Sequence, residues 1–245
     1  MSVARAEELA AALAGSAGVL DVKDPARGSL GAASPEIVRL ARAVAPASVA
    51  VSAALGDRLP RGRRGAEALG ALGLELARAG ASFLKVGLAG ADGSPRTARA
   101  LLDLRERLAE GPSLPAVIAV AFADDPAPAL RPLDLPALAA GAGLQGAMLD
   151  TLAKERSILD LMGEAELRAW VAEVRGAGLL CGLAGSLTLE HLPRAAALGP
   201  DVVGVRGAVC EGGRTGRLSE ELVRLAARAI STHDVSADRP ASACV

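Results

Sequence analysis

The sequence predicts an α/β chain folded as a single (β/α)8 TIM-type barrel whose first strand is short. Three observations predict it. Apolar, β-branched segments of strand length alternate with amphipathic helical segments about eight times. No composition break or long linker interrupts them, and 245 residues match the roughly 250 that one such barrel takes. The apolar fraction of 51% is ample for a core, but with 1% aromatics that core must be packed from Leu, Val and Ala.

The elements follow in order. Ser2–Ala4 reads as a clipped first strand, and Glu7–Ala14 as an Ala/Leu helix closed by Gly15. The second strand, Val19–Lys23, stops at Pro25 because proline has no N–H to give the ladder. Ser34-Pro35-Glu36 opens a helix in the favoured order of cap, proline and early acid, with Ile37, Leu40, Ala41 and Val44 as its expected apolar face. Strand Ser48–Ala54 leads to Gly56-Asp57, then helix Ala66–Ala79 and Gly80. Strand Phe83–Leu88, helix Pro95–Leu108 and strand Ala116–Phe122 come next. Helices Ala137–Ala142 and Glu164–Ala177 flank the sixth strand, Gly146–Thr151. Strand Leu179–Ala184, helix Leu189–Leu198, strand Asp201–Arg206, a Gly/Arg loop and helix Ser219–Ile230 complete the pattern. The barrel is thus expected over residues 1–231, with a flexible tail over 232–245.

Composition removes several classes of function. A net charge of −1 leaves no basic footprint for nucleic acid, and single-stranded nucleic acid also needs aromatic platforms this chain lacks. The longest apolar run, Leu114–Ala123, is broken by Pro115 and far short of the roughly 18 residues of a membrane span. Glu7 and Glu8, directly before Leu9–Leu20, argue against reading that segment as a secretory leader. The three cysteines (Cys181, Cys210 and Cys244) include no CxxC, so a reducing, cytoplasmic compartment is expected. Cys210 reads as a small packing residue. With only His191 and His233, a histidine triad or zinc site is unexpected, and no lysine follows a glycine as a P-loop requires. The expectation is an enzyme without cofactor or metal, acting on a small molecule and assembled as a homo-oligomer.

The lysines carry the chemistry. Of 27 basic residues only Lys23, Lys85 and Lys154 are lysine. A position that keeps lysine in so arginine-rich a chain needs an amine, because guanidinium neither deprotonates near neutral pH nor forms a Schiff base. All three fall near the carboxyl ends of expected strands two, four and six, where barrels of this class build their sites. Asp21 shares the Lys23 face, since residues two apart on a strand lie roughly 6.5 Å apart on one side. Asp150 ends the sixth strand. Crowded amines in a dry pocket lower one another's pKa, making one a nucleophile while Asp21 and Asp150 balance charge and move protons. A purely structural Asp–Lys pair in the barrel core is the competing reading.

Two glycine-rich regions read as anion sites. Gly28-Ser29-Leu30-Gly31 can present backbone N–H groups, which makes Ser29 a candidate phosphate ligand. Gly185-Ser186 and Gly207-Ala208 follow the last two strands, where barrels frequently bind phosphate. Ordinary turn chemistry explains such glycines equally well.

Several strings together resemble the (5-formylfuran-3-yl)methyl phosphate synthase family. They are Asp21-Val22-Lys23-Asp24-Pro25 with Gly28-Ser29-Leu30-Gly31-Ala32, Val51-Ser52-Ala53 with Gly56-Asp57, and Lys85-Val86-Gly87-Leu88. Leu149-Asp150-Thr151 with Lys154 and Val205-Arg206-Gly207-Ala208 continue the match in order from about residue 19 to 216. The resemblance implies a cofactor-free barrel lyase that joins two molecules of glyceraldehyde 3-phosphate, a triose phosphate, on the way to methanofuran-type cofactors. One molecule is isomerised, an aldol-type condensation follows, and loss of phosphate and water closes the furan. By the same resemblance Lys23 forms the Schiff base and Lys85 accepts the proton, while Asp21, Asp150 and Lys154 match the remaining charged positions. Another Schiff-base aldolase, or a non-catalytic barrel binding a phosphorylated metabolite, is consistent with the residues alone.

Overall fold

A computed structural model describes residues 1–91, 95–126 and 130–231; the tail expected over 232–245 lies outside the described residues. Eight parallel strands pair in sequence order, β1 (Ser2–Val3), β2 (Val19–Val22), β3 (Ala50–Ala54), β4 (Phe83–Gly87), β5 (Ala116–Phe122), β6 (Gly146–Asp150), β7 (Leu180–Leu183) and β8 (Val202–Val203). Around them run α1 (Glu7–Ala14), α2 (Pro35–Val44), α3 (Gly62–Arg78), α4 (Pro95–Ala109) and α5 (Leu135–Gly141). The remaining helices are α6 (Ile158–Leu161), α7 (Glu164–Gly176), α8 (Leu192–Ala197) and α9 (Glu220–Ser231). No helix among the described residues is long and apolar enough to cross a membrane.

Strand alternation separates two buried layers. Leu20 and Val22, Leu84 and Val86, Val117, Ala119 and Ala121, and Ala147 and Leu149 face the helices and join their apolar stripes in one large core. Each such Leu or Val side chain contributes about 1.5–3 kcal/mol when fully buried, and each alanine methyl less than about 1 kcal/mol. Their neighbours in sequence point inside the barrel, where Ala54, Ile118, Val120, Phe122 and Met148 form a second, smaller cluster. Glycines make room for the larger members. A Cβ on Gly182 would meet Met148 Cγ at 2.9 Å, and one on Gly146 would meet Ile118 Cδ1 at 2.4 Å. This inner face also carries Asp21, Lys85 and Asp150, so the charged residues sit on top of a packed plug.

The barrel seam departs from expectation. The eighth strand spans two residues, where Asp201–Arg206 was expected. Asp201 Oδ2 accepts the Cys181 N–H at 2.7 Å, and Arg206 leaves the extended region at φ −141°, ψ −60°. The seam closes through a backbone bond from the Ser2 N–H to the Val205 carbonyl at 3.0 Å, which ties β1, already paired with β2, to the segment just past β8.

Four smaller corrections have local causes. On α2 the buried residues are Val38 and Ala41, whereas Leu40 and Val44 are exposed, so the inward stripe is rotated from the expected one. The helix expected over Leu189–Leu198 is a 3₁₀ turn, Leu189–His191, followed by α8, because Pro193 has no N–H for a continuous ladder. The short α6, held by a capping box between Ser157 and Asp160, was not anticipated. The Gly/Arg loop contains a small antiparallel pair, β9 (Cys210–Glu211) and β10 (Arg217–Leu218).

Candidate active site

At the carboxyl ends of the strands a cavity of about 330 Å³ is lined by all three lysines together with Asp21 and Asp150. Lys23 sits one residue past β2, Lys85 lies within β4, and Lys154 follows β6 by four residues. Two of the amines are paired. Lys85 Nζ lies 2.6 Å from Asp21 Oδ2, and Lys154 Nζ lies 2.5 Å from Asp150 Oδ1. The Lys23 amine makes no hydrogen bond or ion pair among the described residues, although its residue is only 8% exposed.

Burial and charge set these groups apart. Burial is the largest influence on the Lys23 ammonium and, with Lys85 and Lys154 also disfavouring its charge, lowers its pKa from 10.5 to about 8 despite Asp150 and Asp21. Burial alone would raise the Asp21 carboxyl, but Lys85 and Lys23 hold it well below the usual carboxylate range. Asp150 behaves alike: burial opposes its charge, while Lys154, Lys23 and the Thr151 N–H hold its pKa down. Asp21 also accepts from the Ser2 hydroxyl at 3.0 Å through Oδ2, and its Oδ1 is buried with no partner among the described residues. Cys210 is buried, which pushes its thiol up and keeps it protonated, as suits packing.

The anion that the Gly28 loop accepts is the protein's own. Asp57, after β3, takes the Ser29 N–H at 3.2 Å and the Leu30 N–H at 2.6 Å. Gly28, at φ +124°, passes so close that a Cβ would lie 2.0 Å from Asp57 Oδ2. Ser29 is outside the cavity lining, and its hydroxyl donates to Asp150 Oδ2 at 3.2 Å. The other expected anion residues, Gly185, Ser186, Gly207 and Ala208, do line the cavity. Among the described residues their N–H groups have no acceptor. Arg214 joins them, with Nη2 donating to the Gly28 carbonyl at 2.8 Å.

Sequence reading missed the supports of this site. Arg206 lines the cavity and is buried against Glu8 of α1; it also donates to the Ser2 carbonyl at 3.1 Å and the Arg214 carbonyl at 2.5 Å. Asp124, after β5, takes the Leu152 and Ala153 N–H groups at 2.6 and 2.8 Å, just before Lys154. Lys154 itself sits at φ +65°, a left-handed conformation uncommon for a residue with a Cβ. An aspartate within two or three residues of a strand's carboxyl end is the only signal that marks Asp57 and Asp124 in the sequence.

Fold and cavity define a (β/α)8-barrel protein with a lysine- and aspartate-lined pocket at the carboxyl ends of its strands. The sequence model of the 4-HFC-P synthase family matches residues 1–227, and the chain belongs to that family. It is 37% identical over 222 residues to a (5-formylfuran-3-yl)methyl phosphate synthase of Methanocaldococcus jannaschii, covering 89% of this chain and 93% of the relative. The synthase of the same name from Methanothermobacter thermautotrophicus is 38% identical over 229 residues, covering 89% and 92%. Among solved structures, phosphoribosyl anthranilate isomerase from Thermus thermophilus superposes with a TM-score of 0.59 at 22% identity, covering 94% of this chain and 96% of that one. The 3-hexulose-6-phosphate synthase of Salmonella typhimurium reaches 0.63 at 15% identity, covering 95% and 97%. At these identities the structural likeness concerns the fold alone.

Proposed function

We propose that this chain is a carbon–oxygen lyase acting on phosphates, which condenses two glyceraldehyde 3-phosphate molecules to (5-formylfuran-3-yl)methyl phosphate in methanofuran-type cofactor synthesis. Membership of the family supports the product. The observation that carries the mechanism is the Lys23 amine, buried and unpaired among the described residues, between the Lys85–Asp21 and Lys154–Asp150 pairs.

A pKa near 8 leaves a usable fraction of Lys23 neutral near pH 7, so its nitrogen adds to the carbonyl of the isomerised triose phosphate and expels water. The resulting iminium acidifies the adjacent C–H. Lys85 first passes its own proton to Asp21, whose unpartnered Oδ1 is a free acceptor, and the neutral amine that results takes the substrate proton. The enamine attacks the aldehyde of the second molecule, forming the new carbon–carbon bond. Lys154 and Asp150 serve the dehydrations, and water releases Lys23 at the end. One phosphate and two waters leave in total, which balances the atoms of two triose phosphates against the furan product. The N–H groups of Gly185, Ser186, Gly207 and Ala208, with the Arg214 guanidinium, hold a substrate phosphate.

The experiment combines two readouts on purified protein with glyceraldehyde 3-phosphate. Near-ultraviolet absorbance reports the furan, which an aldol sugar lacks. Borohydride reduction followed by peptide mass mapping reports the adduct. Growth of the furan band and an adduct on Lys23 are expected. An adduct on Lys85 or Lys154 with none on Lys23 reverses the roles, and no adduct with no furan removes the reading.

A further inference from the structure

Asp150 is gripped from two sides, and both grips trace back to carboxylates outside the cavity. Its Oδ2 accepts from the Ser29 hydroxyl at 3.2 Å, and its Oδ1 faces Lys154 Nζ at 2.5 Å. Ser29 and Lys154 belong to loops that follow β2 and β6. Each loop is fastened by an aspartate at the end of an adjacent strand, through two successive backbone N–H groups. Asp57, after β3, takes the N–H groups of Ser29 and Leu30; Asp124, after β5, takes those of Leu152 and Ala153. This is the geometry in which a protein binds a small anion, with a side chain supplied in its place.

We infer that Asp57 and Asp124 are positioning residues for this active site, acting as built-in anions that hold Ser29 and Lys154 against Asp150. The inference rests on reading Lys154 and Asp150 as an acid–base pair. Its physical basis is strain and reach. Lys154 stands in a left-handed conformation at φ +65°, which persists only where surrounding contacts determine it. The Leu152 and Ala153 bonds to Asp124 immediately precede it and turn the chain so that a lysine four residues past Asp150 folds back onto it. On the other side, the Gly28 backbone approaches Asp57 too closely for any Cβ, which commits the loop to that carboxylate. Neither aspartate lines the cavity, so neither reaches substrate.

The test uses Asp124→Asn and Asp57→Asn in the full chain. Asparagine keeps the volume but offers one acceptor oxygen to two N–H donors, so one bond is lost and an amine faces the other N–H. Both variants are expected to lose roughly 10- to 100-fold in kcat, the size of effect that loss of a supporting hydrogen bond behind a metal ligand produces. KM should stay within about twofold, and borohydride trapping on Lys23 should persist. A second readout is independent of turnover. Lys23, Lys85 and Lys154 are the only lysines, so competitive acylation with mass mapping follows each amine separately. Asp124→Asn should raise labelling of Lys154 several-fold over Lys23 and Lys85. Unchanged kcat and unchanged Lys154 labelling overturn the inference. So does a loss of kcat accompanied by equally increased labelling of all three amines, which marks general loosening. If Asp124→Asn does not fold, the kcat and KM of Asp57→Asn decide. If wild-type protein gives neither furan nor adduct, the proposed function fails, while Lys154 labelling still reports whether Asp124 positions that loop.

Discussion

Arg206 and Glu8, far apart in sequence, form a buried bidentate pair at the barrel seam, with Nη1–Oε2 and Nη2–Oε1 both 3.0 Å. The pair sits where the sheet is thinnest, between a two-residue first strand and a two-residue eighth strand. Arg206 also holds the Ser2 and Arg214 carbonyls, so the closure of the barrel, the Ser2–Asp21 bond and the Arg214 loop share one support.

Removing one partner of this pair strands the other as a buried charge. Glu8→Gln or Arg206→Met is therefore expected to cost about 3–5 kcal/mol in urea unfolding, whereas replacing both with apolar residues recovers much of that loss. Burial opposes the Glu8 charge, but its bonds from Arg206 and the Ala4 N–H lower the carboxyl's pKa below that of an ordinary glutamate. A lowered folded-state pKa means the stabilisation is present above the unfolded value of about 4.3 and is lost as pH falls through the folded value. Wild type should thus destabilise more steeply in acid than Glu8→Gln, and parallel pH profiles would refute the assignment.

Lys23 should set the pH dependence of substrate capture. With its pKa near 8, the initial rate of cyanoborohydride trapping with triose phosphate should rise about tenfold per pH unit below that value and level off above it. A profile still rising at pH 10 would mean an ordinary lysine performs the capture.

The same burial makes Lys23 a cost to the fold. Its charged form is disfavoured by the shift from 10.5 to about 8, which corresponds to on the order of 3 kcal/mol. The unfolded chain binds the proton more tightly between those values, so stability rises with pH from about 8 to 10.5 and the cost is complete below 8. Lys23→Met is expected to abolish trapping while raising the unfolding free energy at pH 7 by about 1–3 kcal/mol. A variant that is both inactive and less stable than wild type would contradict this.

Arg214 should act on affinity. Arg206 holds the Arg214 backbone carbonyl, so Arg214→Gln leaves the seam intact while removing the guanidinium from the cavity. KM for glyceraldehyde 3-phosphate is expected to rise roughly 10- to 100-fold, with little change in trapping of unphosphorylated glyceraldehyde. Equal losses with both substrates would place Arg214 away from the phosphate.

What could be read in the chain is what has a period or a rarity. Apolar runs of strand length identified β2, β4, β5 and β6, the two-residue period of β2 put Asp21 with Lys23 on one face, and the scarcity of lysine singled out three amines that prove to share one cavity. The Ser34-Pro35-Glu36 cap located α2, but its pattern of apolar residues left two stripes nearly equal, and only packing chose Val38 over Leu40. The Gly28 loop shows the other side of this boundary. Its glycines announce an anion, yet nothing local says that Asp57 provides it. The same holds for Asp124 behind Lys154 and for Glu8 behind Arg206. Local patterns reveal elements because backbone hydrogen bonding and burial repeat along the chain. These carboxylates meet donors from loops that follow other strands, through single, non-repeating contacts, and only the closed barrel brings the partners together.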